Sequence, residues 1–206
     1  MPETLKFYRR HLPHWLVADR TYFVTIRQSG TLPRAVIKEL AAERELLRES
    51  KASNDAILAL LRNQFTRVER ILHASTTEGN LTDAGVPEIL LQNIEWLEVP
   101  SRGWCVYAAV VMATHMHLVL RNEMGRSAEL LSDIGQYKNY TAREINKVRG
   151  CSGALWARED FDHWCRTPEK VEGAVRYVKK NPVQAGLCSE WTQWPWTRIK
   201  DEWRAE

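Results

Sequence analysis

His115 and His117 flank Met116 within the run Val110-Val111-Met112-Ala113-Thr114-His115-Met116-His117-Leu118-Val119-Leu120. This apolar, β-branched-rich stretch reads as a buried strand. Side chains alternate along a strand, so the two imidazoles share a face, with Cα atoms about 6.6 Å apart. That arrangement suits two imidazoles closing on one divalent ion. Further along, Tyr177 and Asn181 are spaced i,i+4 on an expected helix and project from one side of it. An amide oxygen beside imidazoles suits Mg²⁺ or Mn²⁺, and a tyrosine hydroxyl is a nucleophile. Arg166, Lys170, Arg176, Lys179 and Lys180 cluster on the same segment and suit an anionic substrate. Taken alone, a His-x-His pair is more often packing than a ligand pair. The tyrosine and asparagine are what make it a site. Tyr137 and Tyr140 are rival nucleophiles, but Tyr140 lacks a ligand four residues on. Glu123 and Asp133 lie near the histidines in sequence, in a turn and a helix that give them no defined direction.

The elements that must position these residues follow from local pattern. Tyr22–Arg27 reads as a first strand ended by Ser29-Gly30. A charged helix runs from about Arg34 to Ser50, is interrupted or capped at Ser53-Asn54-Asp55, and resumes through Ile57, Leu60, Leu61 and Phe65. Ser75–Asp83 is polar and reads as a loop, and Val86–Leu97 as another helix. Trp104–Met112 and His115–Leu120 read as two strands or one long bent one; Ala113-Thr114 leaves little room for a hairpin, so the single long strand is favoured. Ser127–Val148 is an amphipathic helix with Lys138, Arg143 and Lys147 on its polar side. Thr167-Pro168-Glu169 caps a helix carrying Tyr177, which Pro182 is expected to close after about Lys180.

Composition narrows the class. A chain of 206 residues is long enough for one domain with a real core. Net charge +3 permits nucleic acid as a partner without arguing for it. Cys105, Cys151, Cys165 and Cys188 form no Cys-x-x-Cys pair, so a zinc knuckle is not expected and reduced thiols in a cytoplasm are. No apolar stretch approaches a membrane span. The nine tryptophans read first as packing anchors and second as base-stacking platforms.

These blocks together resemble the REP-associated tyrosine transposases, a branch of the single-tyrosine HUH transposases. HUH denotes His, a bulky hydrophobic residue and His, here His115-Met116-His117. Leu12-Pro13-His14-Trp15 and Tyr22-Phe23-Val24-Thr25 resemble the family's opening. Val110-Val111-Met112 precedes the histidines as in the family. Lys138, Thr141-Ala142 and Ile145-Asn146 match its next helix. Trp156, Asp162 and Arg166 resemble its Trp-to-Asp-to-Arg stretch. Tyr177-Val178-Lys179-Lys180-Asn181-Pro182-Val183-Gln184-Ala185-Gly186-Leu187 resembles its Tyr…Asn-Pro-Val…Ala-Gly-Leu signature, and Trp194-Pro195-Trp196 its aromatic-Pro-Trp tail. The similarity spans most of the chain in ordered blocks. One departure stands out: the family's Pro-Asn before the first histidine is Ala113-Thr114 here. Second-shell groups at such a position orient metal-binding imidazoles.

The resemblance implies a single α+β, ferredoxin-like domain over 1–206, with a central antiparallel sheet carrying the histidines and helices packed on it. About 34–100 would be a mostly helical, branch-specific part. It implies Tyr177 as nucleophile and His115, His117 and Asn181 as ligands of Mg²⁺ or Mn²⁺. Lys138, Arg143, Lys147, Arg166 and Arg176 are the candidate DNA contacts. The implied activity is cleavage and rejoining of single-stranded DNA at REP-type palindromes through a 5′-phosphotyrosine. The implied protein is cytoplasmic and nucleoid-associated, a monomer or homodimer. A non-cleaving, palindrome-binding regulator of the same fold is the competing expectation.

Overall fold

The computed structural model describes residues 3–9, 13–50, 53–75 and 79–205. Leu12 of the opening block and residues 76–78 of the expected loop lie outside them. Thr4–Arg9 (β1) and Pro13–Val17 (β2) form a two-stranded ribbon. Thr21–Arg27 (β3) follows, buried at every position. Arg34–Glu49 (α1) and Asn54–Ala74 (α2) form a helical pair. The Ser53 side chain caps α2 by accepting from the Ala56 N–H at 3.3 Å. The helix expected over Val86–Leu97 divides into Val86–Gln92 (α3) and Ile94–Glu98 (α4) at Asn93, whose side-chain amide donates to the Ile89 carbonyl at 2.7 Å.

Trp104–Val111 (β4) and His115–Asn122 (β5) are two antiparallel strands, which corrects the single long strand expected from sequence. Tight hairpins usually announce themselves with Asn-Gly or Asp-Gly. Here tertiary bonds hold Ala113-Thr114 instead. The Ala113 carbonyl accepts from Leu81 N–H at 2.7 Å, and the Thr114 carbonyl from Gln28 N–H at 2.8 Å. Met112 N–H donates to the His115 carbonyl across the turn at 2.8 Å.

Leu130–Arg149 (α5), Phe161–Trp164 (β6), Pro168–Gln184 (α6) and Thr197–Ile199 (β7) complete the elements used below. The five-stranded antiparallel sheet has the order β6-β3-β5-β4-β7. Strand alternation sends Tyr22, Val24, Ile26, Met116, Leu118 and Leu120 to one face, where they pack with Leu90, Ile94, Leu97, Ile134 and Tyr137 of α3–α5. Phe23, Val110 and Val119 face the other way, against Ala174, Val175 and Val178 of α6. Leu40 of α1 packs with Val68 and Leu72 of α2 in a third cluster.

α6 continues through Pro182 to Gln184, a second correction. Pro182 removes one helical bond and crowds the Val178 carbonyl, but only Val183 and Gln184 follow it in the helix, and its ring is buried. Bonds from Ala185 N–H to the Asn181 carbonyl at 3.0 Å and from Leu187 N–H to the Pro182 carbonyl at 2.9 Å then finish the helix. Gly186 supplies the left-handed residue (φ 71°) needed there. Among the described residues, no helix is long and apolar enough to cross a membrane.

Candidate metal centre and nucleophile

The register pairs Thr25 with His117 and Arg27 with His115, so both imidazoles point to the α6 side of the sheet. They are buried, with ring centroids 4.8 Å apart. Above them α6 brings Tyr177 and Asn181, one turn apart. The ring of Tyr177 packs edge-on against Phe23 at 5.6 Å and against Phe65 of α2 at 5.6 Å. These contacts fix the direction of the hydroxyl.

Sequence reasoning missed the group at the middle of this site. Glu69, on α2, places Oε2 2.6 Å from the Tyr177 hydroxyl, 3.1 Å from His117 Nε2 and 3.8 Å from His115 Nε2. Glu69, His115 and His117 can each offer a ligand atom, and these atoms lie within 4.8 Å of one another. The available signal was the i,i+4 pair Glu69 and His73 on a helix whose neighbours Val68 and Leu72 belong to the core. His73 does reach the site: its ring stacks on His115 at 5.6 Å, and Nε2 lies 3.2 Å from Asn181 Oδ1. Asn181 turns Nδ2 towards His117 Nε2 at 3.3 Å. The amide's two ends exchange on a half-turn, so either can face the histidines. Glu123 is exposed, and Asp133 accepts from Trp104 Nε1 at 2.7 Å and pairs with Arg102, away from the site.

Tautomers follow from the neighbours. The Thr114 hydroxyl donates its one proton to the Leu72 carbonyl at 2.9 Å, so it accepts from His115 Nδ1 at 3.1 Å. His115 Nε2 therefore carries a lone pair, and it is buried without a hydrogen-bond partner. Glu69 Oε1 is likewise buried and unpartnered. Two orphaned acceptors in one small centre fit a bound cation, which satisfies lone pairs without supplying a proton. His117 Nδ1 is held by Thr25 Oγ1 at 2.9 Å, and a partner on the ring nitrogen away from the metal is what orients a ligand histidine.

Burial, reinforced by neighbouring His117, lowers the His115 imidazole to about 3, so it stays neutral and able to ligate. In the metal-free centre burial alone would raise Glu69, but the charge and Nε2–H bond of a protonated His117, with His115 and Tyr177, outweigh it and hold the carboxyl at about 2; a bound cation would take the place of that proton. Burial and then the Glu69 charge push the Tyr177 hydroxyl well above its ordinary value. The nucleophile rests protonated.

A cavity of about 470 Å³ opens onto this centre, lined among others by Thr66, Glu69, Arg70, His73, Tyr177 and Gln184. Arg166 and Arg176 are exposed, Arg166 over the Trp164 ring at 5.2 Å. Arg143 and Lys147 are exposed on α5, across the sheet from the histidines. Lys147 pairs with Glu144 at 2.6 Å. Lys138 is different and corrects the expectation of a DNA contact. It is buried, and Nζ donates to both Asp160 oxygens at 2.8 Å and to the Ala157 carbonyl at 2.9 Å. Its three protons are thereby committed to the fold. Of the rival nucleophiles, Tyr137 is buried and donates to the Leu90 carbonyl at 2.7 Å, and Tyr140 lies on α5, whose core residues pack on the other face of the sheet.

Comparison with solved structures bears on the fold. The chain is similar to a REP-associated tyrosine transposase solved bound to a REP hairpin. TM-score is 0.53 at 15% identity, over 94% of this chain and 82% of that one. The fold is that of a REP-associated tyrosine transposase. The expected α+β class and central antiparallel sheet are both present, and His115 and His117 lie on that sheet. No protein-family model matches the chain, and neither does any curated protein. α2 contributes Glu69, Arg70 and His73 to the centre from the part of the chain that carries least of the sequence resemblance.

Proposed function

We propose that this protein cleaves and rejoins single-stranded DNA at REP-type palindromes, with Tyr177 as nucleophile beside a divalent metal centre. The observation that carries this reading is the placement of the Tyr177 hydroxyl, 2.6 Å from a carboxylate that also touches the HUH histidines. The likeness to a hairpin-bound transposase supports DNA as the partner.

Each side chain then has a task. The Tyr177 oxygen attacks a phosphodiester. As the oxygen–phosphorus bond forms, the bond from phosphorus to the 3′-oxygen breaks, and the proton lost by Tyr177 balances the one gained by the released 3′-OH. The resulting 5′-phosphotyrosine conserves the bond, so a later 3′-OH attack restores the strand and the tyrosine. His115 and His117, with Asn181, would hold Mg²⁺ or Mn²⁺, which would supply polarisation and orientation of the scissile phosphate. Phe23 and Phe65 keep the Tyr177 ring from swinging. Arg166 and Arg176, exposed on or beside α6, and Arg143 and Lys147 on α5 are proposed backbone contacts.

The test is incubation of the full chain with a REP-type hairpin bearing a single-stranded flank, plus Mg²⁺ or Mn²⁺. The expected result is a covalent protein–DNA adduct on a denaturing gel, absent in Tyr177→Phe. An adduct that survives in Tyr177→Phe overturns the nucleophile. Hairpin binding by the wild type with no cleavage under either metal replaces the enzyme reading with a palindrome-binding regulator.

A further inference from the structure

Glu69 touches the nucleophile and both histidines, yet it comes from a different element than any of them. Oε2 alone makes all three approaches, at 2.6, 3.1 and 3.8 Å. Oε1 is buried and has no hydrogen-bond partner among the described residues. A carboxylate kept only for packing normally satisfies both oxygens, because an unmet buried charge is costly. The nearest unmet group in the same centre is His115 Nε2, also a lone pair. Two lone-pair donors cannot satisfy one another.

We propose that Glu69 is a metal ligand of this centre and the positioning residue of its tyrosine. Its carboxylate is a metal ligand beside His115 and His117, and the same carboxylate is the acceptor that aims the Tyr177 hydroxyl. Metal loading and nucleophile orientation are thereby coupled through one side chain of α2. The chemical purpose of this coupling rests on the strand-cleavage reading above. A carboxylate also makes the centre harder than two imidazoles and an amide, in keeping with Mg²⁺ or Mn²⁺.

The shared oxygen has a measurable consequence. The hydrogen bond from Tyr177 draws on electron density that a cation would otherwise use, so removing the hydroxyl strengthens the ligand. Removing the carboxylate charge does the reverse.

The experiment is titration of the full chain with Mn²⁺ alone, without DNA, read by calorimetry and by the Mn²⁺ paramagnetic resonance signal. Glu69→Gln, close in shape, is expected to weaken Mn²⁺ binding at least about tenfold, with Glu69→Asp between it and wild type. Tyr177→Phe is expected to tighten binding by a factor of about 2 to 10, the worth of one ordinary hydrogen bond. Circular dichroism checks each fold. If Glu69→Gln does not fold, Glu69→Asp and Tyr177→Phe decide the question. Wild-type affinity in Glu69→Gln, or no Mn²⁺ binding by the wild type, overturns the ligand role. Unchanged affinity in Tyr177→Phe overturns the coupling. These readouts need no DNA, so a protein that binds Mn²⁺ as described but never cleaves sinks the strand-cleavage reading and leaves this one standing.

Discussion

Thr114 ties His115 to α2. Its hydroxyl accepts from His115 Nδ1 at 3.1 Å and donates to the Leu72 carbonyl at 2.9 Å. The residue that departs from the family pattern is thus the one that sets the tautomer of the first HUH histidine. Replacing it tests both bonds. Thr114→Val keeps the shape but leaves the Leu72 carbonyl and His115 Nδ1 unpaired, costing about 1–3 kcal/mol in urea unfolding. It should also weaken Mn²⁺ binding about 10- to 100-fold, as loss of an outer-shell partner does. Thr114→Ser keeps the hydroxyl and is expected to stay close to wild type in both measurements.

Lys138 and Arg143 stand on the same helix and should behave oppositely. Lys138→Ala breaks the buried pair with Asp160 and is expected to cost up to about 3–5 kcal/mol of stability. Arg143 is exposed, so Arg143→Ala should change stability by no more than about 0.5 kcal/mol. If Arg143 contacts a phosphate, the same change lowers the salt dependence of hairpin binding by about one unit of slope. Equilibrium unfolding and binding at several salt concentrations separate the two effects. Equal losses of stability would contradict the assignment.

The buried centre should make the metal-free protein sensitive to mild acid. His115 titrates near 6.5 when unfolded but at about 3 when folded, so the unfolded chain binds more protons throughout that interval. Its contribution is whole above pH 6.5 and is lost as pH falls towards 3. Glu69, lowered from 4.5 to about 2, adds a second loss in the same direction below pH 4.5. The melting temperature should therefore start to fall just below pH 6.5. His115→Asn should flatten the part between pH 6.5 and 4.5. A wild-type melting temperature level down to pH 4.5 would contradict this account.

Local pattern was enough to recognise the HUH strand, β3, α1, α5 and the helix of Tyr177 with Asn181. Each depends on interactions within a few residues: strand alternation, i,i+4 spacing, or the Thr167-Pro168 start. The hairpin at Ala113-Thr114 was not legible, because carbonyl bonds from Leu81 and Gln28 hold it in place of turn residues. Pro182 misled for a similar reason, since burial offsets its one missing bond.

The amino-acid sequence by itself determined the chemistry on offer: two imidazoles on one strand face, and a tyrosine and an amide on one helix face. Tertiary structure alone decided how that chemistry is assembled. It packs α2 over the sheet and sets Glu69 between Tyr177 and the histidines, a contact across 108 residues. It also takes Lys138 out of solvent to pair with Asp160. The physical reason is the same in both cases. Periodicity reports which face of an element is apolar, but only packing decides which buried polar group meets which partner.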